Sequence, residues 1–291
     1  MCSSDLNRFR NFNVPLPEAG NPQTNRPDPF LGAIQEGGQD YVNSTYNSLE
    51  IKFTHNMSRG LNALVGYTWA RSIDTGSAIR SHGGDEDFAQ NPYCVLCGER
   101  GPSNFNQDQR LVTSLLYEPP IGKGHAFLNH GIASEVLGGW QFNSIFTIAS
   151  GLPFTFTESA NLLNGGGGAS GGGGGRPNYS GSTLAPTGGK NRFHWFKPAG
   201  YKAPPLYAFG NVSRNSMYGP GELSWDASMM KSFRVYREQD LQFRFESFNT
   251  PNHPNFGLPN AAQGSATFGQ ITSLSTAVSM RQLQLSLKYI F

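Results

Sequence analysis

The last eleven residues, Arg281-Gln-Leu-Gln-Leu-Ser-Leu-Lys-Tyr-Ile-Phe291, decide how the chain is read. Leu283, Leu285, Leu287, Tyr289 and Phe291 take every second position, and Gln282, Gln284, Ser286 and Lys288 fill the gaps. Successive side chains of a strand point to opposite faces, so this segment has one apolar and one polar face. At about 3.3 Å per residue and a tilt of about 40–45°, the segment covers roughly 25 Å, enough to cross the apolar layer of a membrane. An ordinary last strand of a soluble sheet shares the alternation but does not call for the terminal aromatic.

Working backwards, seven further strand candidates appear at about 7–13, 46–55, 61–70, 108–118, 139–158, 222–232 and 239–249, the first of them weak. Leu49, Ile51 and Phe53 oppose Glu50 and Lys52; Leu223, Trp225, Ala227 and Met229 oppose Ser224, Asp226 and Ser228; Leu241, Phe243 and Phe245 oppose Gln242, Arg244 and Glu246. Two connections are tight, at His55–Gly60 and Phe233–Glu238, and 119–138 is intermediate. The links 14–45, 71–107, 159–221 and 250–280 are all about 30 residues or longer. Short and long connections therefore alternate, as in an up-and-down membrane barrel. Structureless loops of such length are uncommon in compact soluble domains. The alternation requires Trp140–Glu158 to be one strand, bent at Ser150-Gly-Leu-Pro153.

Composition agrees. Of 291 residues, only 14% are charged, while 21 are Phe, 11 Tyr and 36 Gly. The net charge of +2 offers no field for nucleic acid. No run of 18 apolar residues is present, which removes a spanning helix but leaves a barrel untouched. Met1–Leu6 has neither a basic stretch nor an apolar core, so no secretory signal opens the chain. Residues 1–6 read as a non-native remnant, and 7–291 as one barrel segment with no plug domain.

Several phrases together carry a family resemblance. They are Tyr46-Asn-Ser-Leu-Glu-Ile-Lys-Phe53, Gly66-Tyr-Thr-Trp-Ala-Arg-Ser-Ile-Asp74, Gly138-Gly-Trp-Gln-Phe142 and Ser150-Gly-Leu-Pro-Phe154. Further on come Arg176-Pro-Asn178, Arg214-Asn215, Gly219-Pro-Gly221, Phe243-Arg-Phe-Glu-Ser-Phe-Asn249 and Asn252-His-Pro-Asn-Phe-Gly257. As a set they resemble the C-terminal barrel of TonB-dependent receptor-like (Oar-like, carboxypeptidase-regulatory-like) bacterial outer-membrane proteins. The resemblance implies an all-β, antiparallel, up-and-down transmembrane barrel segment of about eight strands, part of a larger barrel of about 22. It implies a place in the bacterial outer membrane and a role in admitting a bulky solute. The partners it implies are membrane lipid, the barrel-assembly machinery and, through a missing N-terminal part, a periplasmic TonB-type energy-coupling protein. Leu283, Leu285, Leu287, Tyr289 and Phe291 would form the closing strand and assembly signal. The competing expectation is a structural or adhesion barrel without transport.

The candidate chemistry is sparse. Cys94 and Cys97 lie in a long loop as Cys-x-x-Cys without the second pair of a zinc ribbon, so a local disulfide is the plain reading, with metal binding or free thiols as alternatives. Ser81-His-Gly-Gly-Asp-Glu-Asp87 offers His82 and Asp85 as a cation or acid–base cluster, against a solvated acidic loop tip. The Gly165–Gly175 run lacks the Lys-Ser/Thr ending of a phosphate loop and reads as flexible linker. No enzyme activity and no cofactor are expected. Glu50, Lys52, Asp226, Arg244, Glu246 and Lys288 are expected to line a wet lumen, since a Lys or Arg facing lipid costs about 2–4 kcal/mol at the midplane. Asp226 and Arg244, on adjacent strands, are expected to pair.

Overall fold

The computed structural model describes residues 8–291, apart from 33, 40–42, 78–88, 95, 126, 129, 159, 161, 165–174, 182–185, 187 and 237–238. Cys2, His82, Asp85 and most of the Gly165–Gly175 run lie outside the described residues.

Among the described residues, seven long strands form one antiparallel meander. They are β1 (Ser44–Ser58), β2 (Leu61–Asp74), β3 (Gln109–Tyr117), β4 (Trp140–Ala149), β5 (Glu222–Tyr236), β6 (Gln239–Phe248) and β7 (Gln282–Ile290). Each pairs with its neighbours in chain order, and Gly101–Pro102 extends the partner edge of β2. Among the described residues the sheet is open. β1 and β7 are its edges, and both run from the long-loop end to the turn end.

The register draws one continuous apolar face. Across it lie Leu49 opposite Trp69, Tyr67 opposite Leu111, Thr113 opposite Phe146, Phe146 opposite Trp225, Met229 opposite Phe245, and Phe245 opposite Leu285. Among the described residues, no second protein layer covers it away from its turn end. Leu283, Leu285 and Leu287 are 62%, 69% and 67% exposed, and Leu49, Ile51, Phe53 and Trp69 are all more than half exposed. Exposed apolar surface this extensive is incompatible with water and fits hydrocarbon.

The turns explain themselves locally. Arg59 and Gly60 both adopt left-handed φ, 50° and 80°, the pair that a two-residue hairpin of matching twist requires. Gly60 also receives the Glu118 N–H at 2.7 Å on its carbonyl, and a Cβ there would collide with the Glu118 carbonyl. The strand β1 therefore runs on to Ser58, further than the alternation alone reaches.

Two expectations are corrected. The weak strand near 7–13 does form, as Arg8–Phe12, but it pairs with Ile34–Gln39 in a separate two-stranded sheet. A local partner closes a shorter loop than the distant sheet edge would. The expected strand Trp140–Glu158 stops at Ala149. Beyond it, Pro153–Phe154 pairs with Met217–Tyr218, and Thr157–Glu158 pairs with Ala262–Gln263. Phe154 and Phe156 are buried at 3% and 0% exposure in an aromatic cluster among the loops, which draws the chain off the sheet. The segment is still not a hairpin, so long connections remain at one end and short ones at the other.

Candidate functional site at the loop end

The three long connections between strands, 75–108, 150–221 and 249–281, leave the sheet at the same end and build a layer with its own core. Phe154, Phe156, Phe196, Tyr201, Val212 and Met217 form that core, with Phe268 packed against it. Phe156 stacks on Tyr201 at 4.1 Å and meets Phe196 edge-on at 4.9 Å. Such aromatic contacts contribute about 0.5–1.5 kcal/mol each beyond their buried area.

Among the described residues, two buried ion pairs tie the outer end of β2 and the first loop to the second loop. Arg214 meets the Asp74 carboxylate, and both side chains are 1% exposed. Its Nε donates to the Glu99 carbonyl at 2.9 Å and its guanidinium also reaches Ser77 Oγ and the Asp74 carbonyl, each at 3.0 Å. Arg176 donates to Glu99 Oε2 at 2.7 Å, while the other oxygen of Glu99 accepts the Gln90 N–H. The planar, multi-donor guanidinium suits these sites in a way an ammonium does not. None of the four residues stood out as a site from sequence. Asp74, Arg176 and Arg214 do fall within the phrases Gly66–Asp74, Arg176-Pro-Asn and Arg214-Asn that carry the family resemblance, and that was the available signal.

Asparagines fasten the third loop. Asn255 donates to the Leu223 carbonyl and accepts its N–H, both at 2.8 Å, standing in for a strand partner at the top of β5. Asn249 donates to the carbonyls of His253 and Ser279, each at 3.0 Å. Asn215, Asn249 and Asn252 all take left-handed φ near 50°, a conformation asparagine tolerates better than most side chains.

Hollows open among the described residues at this end, and two bear on the site. One, of about 310 Å³, is lined by Tyr179, Tyr201, Asn211, Val212, Ser213 and Ser216. Burial, and after it the neighbouring Tyr179 phenol, raises the Tyr201 phenol above its ordinary value. The other, of about 510 Å³, lies at the β1 edge between residues that include Asn47, Trp69, Arg71 and Asp108.

Glu50, Lys52, Asp226, Arg244, Glu246 and Lys288 share the face opposite the apolar one, as the register of β1–β2, β5–β6 and β6–β7 requires. They do not converge on one point. The expected Asp226–Arg244 pair is absent: Arg244 lies opposite Met230, four residues along β5 from Asp226, or about 13 Å. Asp226 accepts the Asn249 N–H at 2.8 Å instead, and Arg244 lies 3.7 Å from Glu246. Cys94 and Cys97 are joined by a disulfide with 5.3 Å between their Cα atoms. Among the described residues no group of three or more His, Cys, Asp or Glu side chains could hold a metal ion.

One cation escaped the polar-face assignment. Lys231 lies on the apolar face, opposite Trp140 on β4 and Phe243 on β6, yet it is only 5% exposed. Its amine donates to the carbonyls of Val136, at 3.0 Å, and Glu135, and stands 4.7 Å above the Phe233 ring.

A family model described as an outer membrane beta barrel domain matches residues 2–284. The chain belongs to that family. No curated protein matches it. This outer-membrane barrel domain therefore resides in the bacterial outer membrane, with its apolar face against lipid. In outer-membrane barrels the long loops face outward and the short turns face the periplasm, which puts the stapled loop layer on the cell surface.

Proposed function

We propose that this barrel domain is the wall and surface-loop part of a TonB-dependent receptor that admits a bulky solute, energised through a periplasmic coupling protein. The observation that carries the reading is the loop layer. Surface loops serving only as connections need no core, whereas these bury Phe156 and Phe196 completely and hold two ion pairs out of water. A preorganised surface with a hollow of about 310 Å³ is what capture of a solute requires. The phrases shared with TonB-dependent receptor-like proteins point the same way.

In this reading the face bearing Glu50, Lys52, Asp226, Arg244, Glu246 and Lys288 lines the lumen, and Leu283, Leu285, Leu287, Tyr289 and Phe291 present the closing strand to the assembly machinery. Loss of the full-length gene and loss of the coupling protein should abolish accumulation of the same solute in whole cells. Accumulation that survives loss of the coupling protein, or an upstream coding region without a plug domain, overturns the reading in favour of a structural or adhesion barrel.

A further inference from the structure

The connection between β3 and β4, residues 118–139, is the longest at the turn end, and its apolar side chains face outward. It contains one short helix, α1 (Ile132–Leu137). Phe127, Leu128, Ile132, Val136 and Leu137 are all at least half exposed, with Ile132 at 84%. A turn bathed in periplasmic water has no use for five such side chains.

The position of α1 is fixed by its last carbonyls. Val136 O accepts both the Lys231 amine and the Trp140 indole N–H, each at 3.0 Å. Lys231 and Trp140 face each other on the lipid-facing side of β5 and β4. The C-terminal end of α1 therefore lies against the outside of the wall, at its periplasmic rim, continuous with the surface that meets lipid. The negative end of α1, through the Glu135 and Val136 carbonyls, satisfies a cation that hydrocarbon would otherwise reject. Lys123 and Glu135, both within the link, pair at 2.7 Å in the open.

We propose that this link is an interfacial anchor. It binds phospholipid of the periplasmic leaflet, with Phe127, Leu128, Ile132, Val136 and Leu137 among the upper acyl segments and the Lys123–Glu135 pair at headgroup level. Short amphipathic elements lie in the interface plane in this way, and indole rings favour the same depth. Lys231 and Trp140 are positioning residues that hold the anchor to the wall.

The test uses the full chain in phospholipid vesicles, with Cys2→Ser and single nitroxide labels at Ile132→Cys, Val136→Cys, Lys123→Cys and Leu285→Cys. Oxygen and a neutral nickel chelate serve as colliders. Labels at 132 and 136 should follow the Leu285 label, colliding with oxygen several-fold more than with nickel, while the label at 123 does the reverse. If 132 and 136 follow 123 while 285 still reads lipid, the link hangs in water and the proposal fails. Exclusion of both colliders at 132 and 136 also overturns it, because a protein surface, a second copy included, then covers the link.

Discussion

Arg214 and Asp74 are 140 residues apart in sequence and in contact in space, each 1% exposed. Their pairing clamps the outer end of β2 to the loop that joins β4 to β5. Removing one partner leaves a charge stranded away from water. Asp74→Ala should destabilise the loop layer by about 3–5 kcal/mol, while the strands below stay assembled. Hydrogen exchange should then show lost protection across 198–218 with β3 and β4 unchanged. Protection retained in both regions would remove the clamp.

Gly151 and Gly219 pass backbone to backbone. A Cβ on Gly151 would strike the Gly219 carbonyl, so Gly151→Ala must part Pro153–Phe154 from Met217–Tyr218. The phrases Ser150-Gly-Leu-Pro and Gly219-Pro-Gly221 thus share one steric origin. Gly151→Ala is expected to make surface loops on intact cells markedly more sensitive to added protease, and unchanged cleavage would contradict the close approach.

The two faces of β7 should respond oppositely to charge. Leu285→Arg places a guanidinium against hydrocarbon and should cost about 2–4 kcal/mol near the midplane. Gln284→Arg, one residue away on the other face, should cost far less. Folding titrations of both variants in denaturant give the comparison, and equal losses would dissolve the assignment of faces.

Alkali should loosen the loop layer through Tyr201. Its phenol is held above the ordinary value of about 10, first by burial and then by Tyr179. The folded state keeps this proton where the unfolded chain gives it up. The stabilisation is therefore complete below the unfolded value and is lost as pH climbs from there through the folded one. Tyr201→Phe should remove that part of the alkaline sensitivity, read as tyrosinate absorbance and loop protection against pH. An identical alkaline profile in the variant would refute it.

Much of the wall was legible in sequence because lipid and lumen impose a strict alternation. β7 is the plainest case, and six of the seven long strands fall within a few residues of where Leu, Phe and Trp alternate with polar neighbours. The loop layer was not legible, since its clamps join Glu99 to Arg176 and Asp74 to Arg214 across 77 and 140 residues. Alternation also failed to separate Phe146, which faces lipid, from Phe154, which faces a core of loops. The Asp226–Arg244 expectation failed on register. Neighbouring strands were recognised, but the strands stay paired as far as Tyr236 and Gln239, tighter than the expected turn over Phe233–Glu238, and this later closure carries Arg244 along β5 away from Asp226.

The meander begins and finishes on strands of the same polarity, β1 and β7 both pointing toward the periplasm. Joining them directly would seam the cylinder with like-directed neighbours, against the antiparallel rule of every other contact in the sheet. An antiparallel seam needs an odd complement of extra staves, at minimum a single outward-running one. An eight-staved ring and a twenty-two-staved one both satisfy that arithmetic, and seven staves alone do not.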